Sequence, residues 1–469
     1  MYSTRSSSLS FSSATRNAVT LNGIFCRHGT DNVFPLGRLP PETRLGIYKQ
    51  TESHGVPFLR KASLVCREWR DVFFPLAHET LNLEAYDCDP DESLVLPSPE
   101  DERTVLSIIE TLAEVPNIIS ATKTLVLKGP STHRHCRATV HGISLTLPRL
   151  SFCLLAQLMN IFPHLRKVHI ERVAWDECRP TKGDPHMAHN DWVLRPLSLH
   201  LAQIHCTDPE VAHPLMVTQL CSSVDELYVE GVEGPETFEH LRVRPLPIHH
   251  LYIMQPSCDT HYLANAFFGL IPGRSLSSLW IHDLSDDDIH TVAPLIHYQA
   301  ASLVRVHLSF YNVPGLAFTA LWVVLGMDRC TALKEVGIEI SIHSRSPSYF
   351  RDMFGIMTAS LECLNADITH LELWFDLDYT VSLVGADVLS PQGWSTIDRL
   401  CRRFTQLTNF KVGYTYREYP RQVRGGNTAY YLAGEEEARL FRVLPFLNSL
   451  KRANIIFLAE RKPSPLLLE

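Results

Sequence analysis

Leu276-Ser277-Ser278-Leu279-Trp280-Ile281 sets out a pattern that recurs along most of this chain: an apolar anchor, two spacers, then two apolar positions separated by one free residue. The spacing returns at Leu165-x-x-Val168-x-Ile170, Leu194-x-x-Leu197-x-Leu199, Val224-x-x-Leu227-x-Val229 and Ile248-x-x-Leu251-x-Ile253. Further on it appears as Leu303-x-x-Val306-x-Leu308, Leu333-x-x-Val336-x-Ile338, Ile368-x-x-Leu371-x-Leu373 and Leu407-x-x-Phe410-x-Val412. The weakest copy is Leu450-x-x-Ala453-x-Ile455, and Leu125 with Leu127 forms a degenerate early one. Alternation with period two over so few residues predicts strands, whose side chains point to opposite faces in turn. Between the copies, 152–161, 289–298, 316–327, 350–364, 394–404 and 435–444 carry apolar residues at helical spacing.

A strand-helix unit of this kind cannot bury its apolar face alone and must stack on its own copies. An α/β solenoid with a parallel sheet on its concave side is therefore expected. The pattern resembles the leucine-rich repeat over residues 120–469, in an irregular form. Copy starts are spaced from 24 residues (224 to 248) to 43 (407 to 450), against roughly 20–29 in regular repeats. The turn position that the family fills with Asn or Cys here holds Val173, Val232, Pro256, Leu284, Tyr311, Ser341, Asp376 and Thr415, so no asparagine ladder is expected. The competing architecture is a doubly wound sheet, but no glycine-rich phosphate loop follows any predicted strand. Strand order separates the two, because only the solenoid keeps each strand beside its sequence neighbour.

If the apolar positions point inward, a central exposed row should contain His169, Ser198, Tyr228, Tyr252, Trp280, His307, Gly337, Glu372 and Lys411. The next row should contain Glu171, His200, Glu230, Met254, His282, Ser309, Glu339, Trp374 and Gly413. Tyr228, Tyr252 and Trp280 fall on successive strands, and rigid aromatics with polar tips are common interface anchors. Together with His307 and Trp374 they are the candidate target-binding residues; stacking for sheet stability alone is the competing explanation. Two interruptions, 175–192 and 417–427 with Arg417, Arg421 and Arg424, are secondary candidates, since loops on repeat scaffolds often carry recognition.

Ahead of the repeats stands Leu39-Pro40-Pro41-Glu42, with apolar Leu45, Ile47 and Tyr48 after it, and then Ser63-Leu64-Val65-Cys66-Arg67-Glu68-Trp69-Arg70. A proline suits the first turn of a helix, and Glu42 beside it favours the positive end of the helix dipole. His54-Gly55-Val56-Pro57 breaks the pattern before a second helical segment near Phe58. That segment carries more apolar residues than one buried stripe needs. These residues resemble the F-box, a short all-helical module that docks an adaptor. The resemblance implies that Leu39, Pro40, Leu45, Ile47, Leu64, Val65, Cys66 and Trp69 contact a Skp-type adaptor. Gly55 and Pro57 depart from the simple turn of many F-boxes. The expected organisation is a Ser-rich tail over 1–34, the F-box over 35–83, a linker and entry helix over 84–119, and the solenoid over 120–469. Acidic residues and prolines between Asp87 and Arg103 mark the linker.

Composition sets the remaining bounds. The chain has 469 residues, 45% hydrophobic and 20% charged, with net charge −8 and a pI near 6.3, which gives no reason to expect nucleic acid. Its apolar runs are too short to span a bilayer, so no membrane partner is expected. Twelve cysteines without a C-x-x-C pair suggest free thiols in a reducing compartment, cytoplasmic or nuclear. Residues 1–30 also have the Arg- and Ser-rich, acid-poor composition of a transit peptide, although a disordered tail accounts for them equally and suits an F-box better. No nucleotide, hydrolase or metalloprotease motif occurs, so neither catalysis nor a cofactor is expected. His133, His135, Cys136 and His141 match no zinc template, so no metal is expected. Asp286-Asp287-Asp288 should cap a helix beginning near Ile289.

An F-box followed by a solenoid resembles the substrate-recognition subunits of Skp-cullin-F-box ubiquitin ligases, which bind the adaptor at one end and a target protein at the other. Alternatives are a non-ligase scaffold for protein-protein interaction and an enzyme built on a doubly wound sheet.

Overall fold

The computed structural model describes residues 59–61, 63–64, 67–84, 116–129, 149–176, 194–206, 214–232, 244–254, 266–311, 324–342, 355, 357–378, 391–417 and 454–462. The chain divides into two compact units, one made of Met1–Asn82, Ser107–Leu125 and Ile161–Leu165, the other of Leu83–Leu106, Val126–Asn160 and Arg166–Glu469.

In the first unit, helix α1 (Arg67–Ala77) buries Phe73 and Ala77 against Leu59. It leads into strand β1 (Thr80–Glu84). Helix α2 (Pro116–Ala121) begins on a proline whose missing N–H would have had no helical partner. The two helix ends are tied together. Thr122 Oγ1 donates to the carbonyls of Ile118 (2.8 Å) and His78 (3.3 Å). The N–H groups of Lys123 and Thr124 donate to Glu79 C=O.

The second unit is α/β, with one long parallel sheet and several helices. Its elements in chain order are β2 (Thr124–Lys128), β3 (Arg149–Ser151), α3 (Phe152–Ile161), β4 (Lys167–Glu171), β5 (Ala174–Asp176), β6 (Arg195–Ala202) and β7 (His205–Cys206). There follow β8 (Cys221–Glu230), β9 (Ile248–Met254), β10 (Ser278–Leu284), α4 (Asp286–Gln299), β11 (Arg305–Tyr311) and β12 (Glu335–Ile342). The last are β13 (His370–Asp378), α5 (Pro391–Cys401), β14 (Asn409–Arg417) and β15 (Asn454–Lys462). From β4 through β6 and β8 to β15 the strands lie side by side in chain order, parallel at every described pairing. A doubly wound sheet reverses its order at a switch point, and this one does not.

The anchors form the core. Leu227 and Val229, Leu251 and Ile253, Leu279 and Ile281, and Val306 and Leu308 are all buried. Helix α4 adds Ile289, Val292, Leu295 and Ile296. It starts three residues before the expected Ile289, because the three aspartates form its first turn. The Asp288 carboxylate accepts the backbone N–H of Ser285 (2.8 Å) and its hydroxyl (2.6 Å), as a capping residue does. Helix α5 likewise starts at Pro391 rather than 394.

Two features were absent from the sequence reading. First, β3, β5 and β7 form a second parallel sheet. Trp175, expected at the start of a loop, is instead a buried member of β5. Second, the chain leaves the long sheet through left-handed residues. Arg172 (φ 55°), Gln203 (φ 50°), Gly231 (φ 53°) and Asp283 (φ 58°) each stand three residues after His169, His200, Tyr228 and Trp280. The N–H of Arg172 donates to Ala202 C=O (3.0 Å), and that of Gln203 to Glu230 C=O (2.7 Å). Gly129 N–H donates to Glu171 C=O (2.8 Å), and a Cβ there would stand 1.8 Å from Arg172 O. Backbone geometry thus turns the chain where a regular repeat uses asparagine. The entries are tied similarly, since the hydroxyls of Ser277, Thr369 and Thr408 donate to the carbonyls of His249, Lys334 and Thr369.

Two copies stand in a register different from the one their spacing predicts. His200, not Ser198, pairs with His169 and Tyr228, and the presumed anchor Leu194 is exposed. Leu197, Leu199 and Leu201 alternate, so a slip of two exchanges one apolar residue for another. The slip is taken up by irregular pairing between β6 and β8. In β15 Ile455 pairs with Phe410 and Phe457 with Val412, again two residues later than read. The cysteines also differ from the expected free thiols. Cys221, Cys330, Cys363 and Cys401 are free, but Cys153 is disulfide-bonded, so the cysteines do not single out a reducing compartment.

Candidate functional site

In-register parallel pairing sets His169, His200, Tyr228, Tyr252, Trp280, His307, Gly337, Glu372 and Lys411 in one row across the sheet. The row changes character along its length. At one end His169 lies close to His200 but tilted (3.9 Å between ring centroids, 33°), and His200 stacks on Tyr228 (4.0 Å, 20°). Trp280 and His307 stack at 3.9 Å and 15°. Between these stacks the rings part, with Tyr228 to Tyr252 at 6.5 Å and Tyr252 to Trp280 at 6.1 Å, tilted by 33° and 34°. Tyr252 is half-buried and, among the described residues, has no face-to-face ring partner.

His307, expected to be displayed, is only 4% exposed. Trp280 covers one side of its ring, and on the other the missing side chain of Gly337 makes room for it. Its Nε2 lies 3.6 Å from Glu339 Oε2, too far for a hydrogen bond. The same carboxylate oxygen lies 3.5 Å from His282 Nε2, while His282 Nδ1 is 3.0 Å from Asp283 Oδ1. That last contact is short but poorly aligned, an ion pair rather than a linear hydrogen bond. Burial opposes the charge on His282, yet Asp283 and Glu339 outweigh it and raise its pKa to about 9. His200 behaves oppositely: burial, then the positive potential of His169 and Lys167, lowers its pKa to about 4.

Trp374 lies one row over, half-buried. Its Nε1 donates to Glu372 Oε2 (3.2 Å), and Lys411 Nζ sits 4.6 Å above its ring and 3.7 Å from Glu372. Tyr228 donates its hydroxyl to Glu230 Oε2 (2.8 Å). Burial and then Glu230 raise the Tyr228 pKa; burial and then exposed Glu226 raise that of Tyr252.

Of the residues assigned to adaptor docking, Leu64 is 53% exposed just before α1. Trp69 lies on α1, and its side chain is outside the described residues. Leu39, Pro40, Leu45, Ile47, Val65 and Cys66 also lie outside them, as do His133, His135, Cys136 and His141. Among the described residues no group of three His, Cys, Asp or Glu is placed to hold a metal ion. No helix there is long and apolar enough to cross a membrane. Burial raises the thiol pKa of Cys221 to about 12 and of Cys330 to about 11, far from a reactive thiolate.

The sequence reading grouped Tyr228, Tyr252 and Trp280 but missed that His200 continues their row. The corner at Gln203 fixes this register, but without a glycine there it leaves no mark in the sequence. No family model matches the chain, and no curated protein is similar to it.

Proposed function

We propose that this chain is the substrate-recognition subunit of a Skp-cullin-F-box ubiquitin ligase. Residues 35–83 would dock the Skp-type adaptor, and the sheet, read as an irregular leucine-rich-repeat-like solenoid, would hold the target protein. The observation that carries the reading is the succession of modules: an F-box-like motif from Leu39 to Trp69, then a parallel sheet in chain order bearing an aromatic row. Leu64 within the motif is exposed, which leaves it accessible to an adaptor. In this role the chain does no chemistry. Holding the target beside a ubiquitin-loaded conjugating enzyme raises the effective concentration of a target lysine.

The test is a purified pull-down of the full chain on the Skp adaptor, beside a variant with Leu39, Pro40 and Trp69 changed to alanine and checked for folding by circular dichroism. Binding by the parent alone is expected. Equal binding by both would overturn the site assignment, and binding by neither would leave a non-ligase scaffold.

A further inference from the structure

Carboxylates on the row and beside it are matched with cations at both ends. Glu171 meets Lys128 (2.9 Å) and Arg172 (3.1 Å), Glu335 meets Arg305, Glu339 meets His282, and Glu372 meets Lys411. Glu226 and Glu230 differ. They stand two residues either side of Tyr228, and neither has a cation at ion-pairing distance among the described residues. Arg305, whose charge reaches Tyr252, is already held by Glu335. These carboxylates coincide with the stretch where the rings part and where Tyr252 has no face-to-face partner among the described residues.

Among the described residues the chain builds a completed version of this arrangement from its own side chains. At Trp374 an aromatic N–H donates to a carboxylate, Glu372, and a lysine ammonium covers the ring while pairing with that carboxylate. At Tyr228 an aromatic O–H donates to Glu230 in the same way, and among the described residues no ammonium or guanidinium lies over the neighbouring rings. Aromatic faces attract cations through their quadrupole, and an adjacent carboxylate adds to the attraction.

We infer that the face formed by Tyr228, Tyr252 and Trp280 with Glu226 and Glu230 receives a basic side chain, lysine or arginine, from a partner protein. This rests on the reading of the sheet as the target-binding surface and adds the chemistry of what is read.

The experiment is selection of a phage-displayed random dodecapeptide library on the full-length protein in complex with its adaptor. Peptides enriched in Lys and Arg are expected, and they should bind a Glu226→Gln/Glu230→Gln variant about tenfold less tightly. Glu372→Gln, whose cation is internal, should bind them as the parent does. Matched melting temperatures exclude a folding defect. A pool without basic enrichment, no enrichment, or equal binding to the double variant would each overturn the inference. The ligase reading fails separately, through loss of adaptor binding: if the adaptor does not bind, the selection is run on the chain alone, and the same outcomes apply.

Discussion

His307 lies over Gly337, so that a methyl group on this glycine would stand 2.0 Å from the imidazole Nδ1. The glycine is required by this close approach, and its φ is not in the left-handed region. Gly337→Ala should push His307 off Trp280 and cost about 1–3 kcal/mol, the usual range for overpacking. Urea denaturation checks this. Adding His307→Ala should return part of the loss, and strict additivity of the two changes would contradict the geometry.

Asp283, His282 and Glu339 link the bulge in β10 to β12, two strands away. His282 is raised from 6.5 to about 9 on folding, so its stabilising contribution is complete below pH 6.5 and disappears as pH rises through about 9. Thermal melts of the parent and His282→Gln should therefore differ most at pH 6 and converge by pH 10. A gap independent of pH would mean that packing, not charge, is what His282 supplies.

Leu64 and Phe73 lie close in sequence but should answer substitution differently. Phe73 is 0% exposed, and Phe73→Ala should cost about 3–5 kcal/mol of stability in denaturant. Leu64→Ala should change stability by less than about 0.5 kcal/mol while weakening adaptor capture. If Leu64→Ala leaves capture untouched, this residue is not part of the docking surface.

The strands were legible because Leu227, Leu251, Leu279 and Val306 repeat a period that only a half-buried strand explains. Helix α3 was legible to the residue. The register of β6 was not, since Leu197, Leu199 and Leu201 satisfy two alignments equally, and only the corner at Gln203 decides between them. That corner was itself invisible: glycine announces a left-handed turn, whereas Arg172, Gln203 and Asp283 carry no such signal. The β5 and β7 segments are too short for any period to show. Within the candidate site the aromatic identities could be read directly. The gaps between the rings, the burial of His307 and the unmatched charges of Glu226 and Glu230 depend on neighbouring strands, which one sequence does not align by itself.

The corners and entry hydroxyls also explain how so uneven a chain builds so even a sheet. Among the described residues, the backbone ladder that sets β10 against β9 and β11 is made within the few residues between entry and exit, Ser277 to Leu284. The described connection after β10 is itself tied back, since the buried Gln299 side chain accepts the N–H groups of Ser275 and Leu276 at the entry of β10. Length added outside such ties should leave Tyr228, Tyr252 and Trp280 in line. The face of the sheet and the connecting segments are free to change at different rates.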